Sequence, residues 1–310
     1  MSTMTAELAE IIAGLKKPEK MISPKYFYDE RGSQLFDAIT DLPEYYPTDT
    51  ELAIMQDNMA EIAALVGPQA SLIEFGSGSS LKTRALLENL RELAVYVPVD
   101  ISEDHLHDTA EKIRAEFPEL EVLPVVADFT KAFALPNPTI MPLRNIVYFP
   151  GSTIGNFTHD TAQELLEVMY QEAGDGGALL IGVDLQKDPD IIEPAYNDSA
   201  GVTAEFNLNM LRHLNREFGA NFDLDSYTHK ADYNEAKGRV EIRLVSAKSQ
   251  IISIGGEDIP IAAGEAILTE YSHKYTPAGF AAMAEAAGFT VAKVWTDADR
   301  LFSVQYCVRQ

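Results

Sequence analysis

Leu72-Ile73-Glu74-Phe75-Gly76-Ser77-Gly78 is an apolar run that stops at a carboxylate and two glycines, and Ser79-Ser80 then leads into the helix-forming Leu81-Lys82-Thr83-Arg84-Ala85-Leu86-Leu87. This reads as a strand, a glycine turn and a helix, the arrangement with which α/β folds hold nucleotide-like cofactors. A dinucleotide fingerprint requires a third glycine three positions after the second, so that the helix N-terminus can close on a pyrophosphate, and that position is Leu81. Asp100 ends the next apolar run, Val95-Tyr96-Val97-Pro98-Val99, where a carboxylate suits the free hydroxyls of a ribose. Asp128-Phe129 follows the run Val122 to Ala127; at a third strand tip its carboxylate can accept from an adenine amino group while its ring packs on the base. Adenosine without a phosphate points to S-adenosylmethionine. Taken alone, Gly76 and Gly78 fit an ordinary βα turn equally well, and it is Asp100 and Asp128 in register that favour the cofactor.

Positioning these tips requires an α/β sheet, and the chain alternates helical and strand signals accordingly. Strands are expected at Leu72–Phe75, Val95–Val99, Val122–Val126, Ile146–Phe149 and Ala178–Val183, with helices between them that include Asp160–Ala173. Short connections with crossing helices imply a parallel sheet. From about Asp188 to Lys274 the pattern changes to a long helix, Val202–Phe218, followed by runs at Arg239–Ser246, Ser249–Ile254 and Ala266–His273, as in a helix with an antiparallel sheet. A helix at Pro277–Ala287 and a hairpin of Thr290–Thr296 and Leu301–Arg309 then complete a Rossmann-like, seven-stranded methyltransferase sheet. The expected division is a methyltransferase domain of residues 50–187 and 275–310, and a smaller α+β substrate domain of residues 1–49 and 188–274. The second contains an aromatic-rich segment, Lys25-Tyr26-Phe27-Tyr28-Asp29 through Tyr45-Tyr46, which serves either a site or the cap of a core.

Composition narrows the class of function. The chain has 310 residues, 46% of them hydrophobic, which is ample for a buried core. No apolar stretch approaches the roughly 20 residues of a membrane span, and Met1 to Lys20 has no signal-peptide core, so a cytoplasmic protein is expected. Forty-eight acidic against 24 basic residues give a net charge of −24, which repels a phosphate backbone and argues against nucleic acid. The single cysteine, Cys307, sits in an alternating apolar strand and reads as a core residue. The six histidines are scattered, with His105 and His107 on different faces of a helix, so no metal site is expected.

Further segments carry specific patterns: Phe27-Tyr28-Asp29, Leu42-Pro43-Glu44-Tyr45-Tyr46-Pro47-Thr48, Gly151-Ser152-Thr153-Ile154-Gly155-Asn156, Ala195-Tyr196-Asn197-Asp198, Gly201-Val202-Thr203 and Leu268-Thr269-Glu270. Together with Glu74-Phe75-Gly76-Ser77-Gly78, and in this order and spacing, the chain from Pro24 to its last strands resembles the histidine-specific N-alpha-methyltransferases of ergothioneine biosynthesis. The resemblance implies that Tyr28, Gly76, Lys82, Asp100, Asp128 and Phe129 hold S-adenosylmethionine. It implies that Gly151, Asn156 and Tyr196 meet the amino and carboxylate groups of L-histidine, and that Tyr45, Glu270 and Ser272 meet its imidazole. Ile242, within Arg239-Val240-Glu241-Ile242-Arg243-Leu244, stands where the family often has a methionine beside the imidazole, an exchange that keeps apolar packing but alters pocket shape.

The physical logic of that set is consistent. Glu270 and Ser272 are two apart on an expected strand and point the same way, one accepting and the other able to donate or accept, which matches a neutral imidazole. Methyl transfer is an in-line displacement, so positioning dominates, with Tyr28 and Asn156 orienting the amine and no dedicated base in view. The resemblance implies trimethylhistidine (hercynine) as the product, in the first step of ergothioneine biosynthesis, and tyrosine faces that tolerate a growing quaternary ammonium allow mono-, di- and trimethylation in one pocket. Competing readings are an N-methyltransferase of another aromatic amine, such as a tryptophan derivative, and a non-catalytic S-adenosylmethionine-binding protein; a nicotinamide oxidoreductase fails on Leu81. Plainer roles are also open: Lys82 as a solvated helix residue, Tyr196 as packing between domains, and Asp29 and Asp198 as turn formers. L-histidine is the expected partner of a monomeric enzyme.

Overall fold

The computed structural model describes residues 3–77, 81–90 and 92–309, so Gly78, Ser79 and Ser80 of the glycine turn lie outside the described residues. The chain divides into two compact units, one of Met1–Tyr46 and Lys187–His273, the other of Pro47–Gln186 and Lys274–Gln310. In the larger unit the strands are β1 (Ala70–Phe75), β2 (Val95–Asp100), β3 (Val125–Val126), β4 (Arg144–Phe149), β5 (Ala178–Asp184), β6 (Phe289–Thr296) and β7 (Phe302–Arg309). They form one seven-stranded sheet in the order β6-β7-β5-β4-β1-β2-β3, parallel from β5 through β3, with β7 antiparallel to both β5 and β6.

Why the central strands are continuous apolar runs follows from their two faces. Leu72, Tyr96, Ile146, Tyr148, Ala178 and Leu180 enter one core, with Met55, Met59 and Ile62 of the helix Tyr46–Val66 and Leu86 of the helix Leu81–Leu87. Their alternate neighbours Ile73, Phe75, Val97, Val147, Phe149, Leu179 and Ile181 enter a second core, with Leu165, Leu166 and Met169 of the helix His159–Ala173 and Phe280 of the helix Pro277–Ala286. A parallel sheet covered by helices on both faces has no polar face to alternate with. One expected strand is shorter than its sequence suggests. Val122 makes only an isolated bridge to Tyr96, and regular pairing resumes at Val125, because Pro124 has no N–H to give the ladder.

In the smaller unit, a four-stranded sheet runs Lys20–Met21, Ala266–His273, Arg239–Ser246 and Tyr227–Asn234, antiparallel except for the first pair. A hairpin of Gln250–Ile254 and Glu257–Ile261 forms a second sheet. The helix Val202–Phe218 lays Phe206, Met210, Leu211 and Leu214 into this unit's core, which also takes Tyr26 and Phe27. Two of the N-terminal aromatics are therefore core residues, Phe27 stacking on Phe206 at 4.5 Å. Asp29 caps the helix Glu30–Thr40, accepting from the Gly32 N–H at 2.7 Å. Arg216 and Asn209, both at 2.8 Å, join Gly32 in holding the Asp29 carboxyl below the usual range against the upward push of burial. No described helix is long and apolar enough to cross a membrane.

Candidate active site

Three adjacent strand tips of the larger unit carry the expected cofactor residues. Gly76, just past β1, has φ +74° and donates to the Val99 carbonyl at 2.8 Å, while Ala127, just past β3, donates to the Asp100 carbonyl at 3.0 Å. Gly76, Asp100 and Asp128 therefore stand side by side along one edge of the sheet, where α/β folds bind ligands. Asp100 accepts the Ser102 N–H at 2.9 Å, and burial raises its pKa despite that bond. Burial also pushes Asp128 upward, but Lys131 at 2.6 Å and the Thr130 hydroxyl and N–H outweigh it and leave the carboxyl below the ordinary value. Phe129 leans on Phe75, with ring centroids 5.5 Å apart, and lies 3.6 Å from where a Cβ on Gly76 would be. The residues present fit an adenosine-bearing cofactor: a glycine, a ribose-type carboxylate and an adenine-type acceptor follow one another along the strand tips, with the Phe129 ring beside the glycine. The Ser77 hydroxyl is also buried here with no partner among the described residues.

Directly beneath the turn, Glu74 is 2% exposed and accepts from the Thr83 hydroxyl at 2.6 Å and from the Tyr96 hydroxyl. Burial pushes its carboxyl up from 4.5 to about 7, beyond what these two donors and the nearby Lys82 can offset. Such a group binds its proton more tightly in the folded than in the unfolded chain, so its contribution to stability declines as pH rises from about 4.5 to about 7. At roughly 1.4 kcal/mol per unit, the ionised carboxylate costs about 3 kcal/mol above that window. Glu74→Gln keeps the shape and leaves both hydroxyls able to pair. It is expected to raise the unfolding free energy at pH 8 by a value of that order while leaving stability at pH 4.5 nearly unchanged, as measured by urea denaturation at the two pH values. Equal effects at both would show that titration of Glu74 is not the cause.

The loop after β4 is tied down residue by residue. Gly151 and Ser152 both take left-handed conformations, φ +78° and +55°; Ser152 Oγ accepts the Asp184 N–H at 2.9 Å, and the Thr153 hydroxyl donates to the Pro150 carbonyl at 2.9 Å. A short 3-10 turn, Thr153–Asn156, ends at the half-buried Asn156. Lys82 is not a solvated residue: its side chain is 16% exposed, and its Nζ lies 2.5 Å from Glu51, whose side chain is 1% exposed. Glu51 also accepts the Gly151 N–H at 2.8 Å. Asp184 and Lys274 form a second ion pair at 2.6 Å, each 1% exposed.

Within the smaller unit, the structure brings Tyr45, Tyr196, Ile242, Glu270 and Ser272 onto one sheet face. Tyr196 shares a 2.8 Å hydrogen bond with Ser272 through its hydroxyl, packs with Ile242 and Ala231, and meets Tyr45 edge to face at 6.3 Å. A β-bulge at Thr269 sets this face. Leu268 pairs with Arg243 and Glu270 with Ile242, so Thr269 is the extra residue, its hydroxyl donating to the Ile242 carbonyl at 3.1 Å. Ile267 opposes Leu244, on the same side as Ile242; strict alternation from Ile267 would have pointed Thr269 and Tyr271 to that side. The bulge turns Glu270 and Ser272 there instead. Tyr28 also belongs to this unit, 39% exposed, with its ring against Phe27, Phe36 and Phe206.

Tyr196 is fixed from behind by groups that sequence reading passed over. Asn207 Nδ2 donates to the Arg243 carbonyl at 3.1 Å, which identifies it as the amide nitrogen and makes its 2.9 Å contact with His229 Nδ1 a donated bond. His229 must then carry its proton on Nε2 and donate to the Tyr196 carbonyl at 2.8 Å. Burial holds the His229 pKa below its ordinary value, in keeping with this neutral form. Asp198 accepts the N–H groups of Val202 and Thr203, both at 2.8 Å, and so caps the helix Val202–Phe218, while Asn197 donates to the Ala231 carbonyl at 2.8 Å. Glu51 had a readable signal: with Pro47, Ile54 and Met55 it lies on the buried stripe of its helix, a charge where an apolar residue is expected.

A family model described as "Histidine-specific methyltransferase, SAM-dependent" matches residues 7–309. Histidine N-alpha-methyltransferase of Mycolicibacterium smegmatis is 40% identical over 97% of this chain and 94% of its own length. Ergothioneine biosynthesis protein 1 of Neurospora crassa is 34% identical over 62% of this chain and 22% of its own. In fold, the chain is similar to a solved S-adenosylmethionine-dependent methyltransferase from Clostridium acetobutylicum, with a TM-score of 0.51, 11% identity, and coverage of 89% of this chain and 98% of that one. The sheet order, the strand tips bearing Gly76, Asp100 and Asp128 and the match over nearly the whole length agree: this chain belongs to the S-adenosylmethionine-dependent, histidine-specific methyltransferase family.

Proposed function

We propose that the protein transfers methyl groups from S-adenosylmethionine to the α-amino group of L-histidine, continuing to the trimethylated product hercynine, in ergothioneine biosynthesis. The observation that carries the acceptor is the bulge at Thr269, which turns Glu270 and Ser272 onto the face shared by Tyr196 and Ile242. A carboxylate acceptor and a hydroxyl on one apolar, aromatic-walled face suit the N–H and the lone-pair nitrogen of a neutral imidazole. The curated relative from Mycolicibacterium smegmatis, named for histidine N-alpha-methylation, supports the same acceptor.

In this reading Tyr28, Gly76, Lys82, Asp100, Asp128 and Phe129 serve the cofactor, and Tyr45, Gly151, Asn156, Tyr196, Ile242, Glu270 and Ser272 serve the acceptor. The cofactor, when bound, provides an electrophilic sulfonium methyl. The chain's own residues do the rest by position: Asn156 and Tyr28 orient the amine, Glu270 and Ser272 fix the far end of the acceptor, and tyrosine faces accommodate the cation as methyl groups accumulate. Incubation with S-adenosylmethionine and L-histidine is expected to give mono-, di- and trimethylated products whose fragment masses place every methyl on the α-nitrogen. Methylation of a ring nitrogen, or faster turnover of L-tryptophan in competition, would overturn the acceptor. We further infer a monomer acting in the cytoplasm without nucleic acid, in keeping with the net charge of −24; a dimer in light scattering would refute the first part.

A further inference from the structure

We propose that Glu51 is a positioning residue that joins Lys82, on the cofactor side, to the Gly151 loop, on the acceptor side, and sets the two together. The inference rests on the reading above. Glu51 is fully buried, and its Oε2 accepts both from Lys82 Nζ, at 2.5 Å, and from the Gly151 N–H, at 2.8 Å, with Oε1 at 3.1 Å from the same N–H. The fold makes room for this carboxylate at the cost of a strand residue. Gly182 lies inside the wholly buried strand β5, and a Cβ there would stand 2.0 Å from Glu51 Oε1. Gly151 is bound to the same device, since its φ of +78° favours glycine and a Cβ on it would lie 3.4 Å from Lys82 Nζ.

A buried carboxylate is a poor way to fill a core, because an apolar side chain of the same volume stabilises as well or better. Its retention here, against a glycine that gives up strand packing, points to a task beyond stability. Two consequences follow. Lys82 has three protons, and with one committed to Glu51 its ammonium is held in place while the others can serve an anionic group. The Gly151 N–H is already engaged, so Gly151 meets the acceptor through its carbonyl oxygen, which accepts from the amine rather than donating to the carboxylate.

The test compares four proteins: wild type, Glu51→Gln, Gly182→Ala, and the double variant Glu51→Ala/Gly182→Ala. Binding of S-adenosylhomocysteine and of L-histidine is measured by calorimetry, KM and kcat by turnover, and Tm alongside. Glu51→Gln keeps shape but not charge, and KM for both S-adenosylmethionine and histidine is expected to rise about tenfold, as for loss of one charge-assisted bond. Gly182→Ala alone is expected to lower Tm and raise both constants by displacing the carboxylate. In the double variant the Cβ occupies the space Glu51 left, with the Phe302 ring edge 3.1 Å away giving slightly. Its Tm is expected to recover relative to Gly182→Ala while both KM values stay raised. Recovery of both KM values with Tm would mean that Glu51 merely fills space and would overturn the proposal, as would unchanged constants in Glu51→Gln or a rise confined to one ligand. Wild type that binds S-adenosylhomocysteine but never methylates histidine would instead refute the acceptor assignment, and the calorimetric arm would still test Glu51 against Lys82.

Discussion

Replacing Lys274 by methionine is expected to lower the unfolding free energy by about 3 to 5 kcal/mol, the cost of leaving a buried charge without its partner. Lys274 and Asp184 are each 1% exposed and 2.6 Å apart, so water cannot take the place of the missing ammonium. The backbone around the pair is equally committed: Tyr275 donates to the Asp184 carbonyl at 2.9 Å, Gln186 donates to the Tyr275 carbonyl at 3.0 Å, and Leu185 bridges Tyr275 in parallel. Asp184 also gives its own N–H to Ser152, in the left-handed part of the Gly151–Asn156 loop. A carboxylate that leaves its place therefore drags the tip of β5 and slackens that loop, and catalytic activity is expected to fall with stability. Removing both charges, as in Asp184→Asn/Lys274→Met, is expected to recover most of the loss, because the desolvation of both ions disappears with their attraction. Urea unfolding of the two variants measures this directly. A single-variant loss below about 1 kcal/mol would mean that Asp184 finds another donor at no cost.

The parts of this molecule that are legible in its sequence are those whose cause is local. A two-faced parallel strand must be apolar throughout, so β1, β2, β4 and β5 appear as runs, and the carboxylates Glu74, Asp100 and Asp184 at or next to the ends of β1, β2 and β5 stand out against them. The helix Val202–Phe218 reads cleanly because its apolar period continues up to the C-terminal Gly219, which has φ +63°. The strands Tyr227–Asn234 and Glu257–Ile261 do not, since they are charged and half-exposed and take their pairing from neighbours rather than from their own pattern. The aromatics of the N-terminal segment leave a site and a core cap equally open in the sequence; Tyr26 and Phe27 are core residues, because their partners Phe218 and Phe206 are far along the chain. Within the candidate site the same division holds. Asp100 and Asp128 follow from strand ends and Glu51 from a charge on an apolar helix stripe, whereas the pairing of Glu51 with Lys82, the Asp184–Lys274 pair and the Asn207–His229–Tyr196 chain exist only through contacts distant in sequence.

The bulge at Thr269 is the instructive middle case, and it bears on the largest expected effect on activity. Alternation correctly gives Glu270 and Ser272 a common side, because both lie beyond the bulge, but it cannot tell which side that is. Pairing with Ile242 and Val240 decides it and places the Glu270 carboxylate on the face of Tyr196, its backbone opposite the residue that stands where the family often has methionine. If histidine binds there, Glu270→Ala removes the acceptor of the imidazole N–H and is expected to lower kcat/KM for L-histidine about 10- to 100-fold, the value of a hydrogen bond to a charged group. The loss should appear mainly in KM, since this contact lies at the far end of the acceptor from the reacting nitrogen and is made equally in ground and transition states. KM for S-adenosylmethionine should hold within about twofold, because Glu270 is assigned to the acceptor alone and not to the cofactor. Glu270→Gln retains an oxygen that can accept and should lose less. Selectivity should move as well: an indole has no second ring nitrogen to engage, so the alanine variant is expected to narrow the preference for histidine over tryptophan. Steady-state kinetics with the two amino acids separates the possibilities, and a histidine KM left unchanged in Glu270→Ala would remove the imidazole from this face and with it the reason for the bulge.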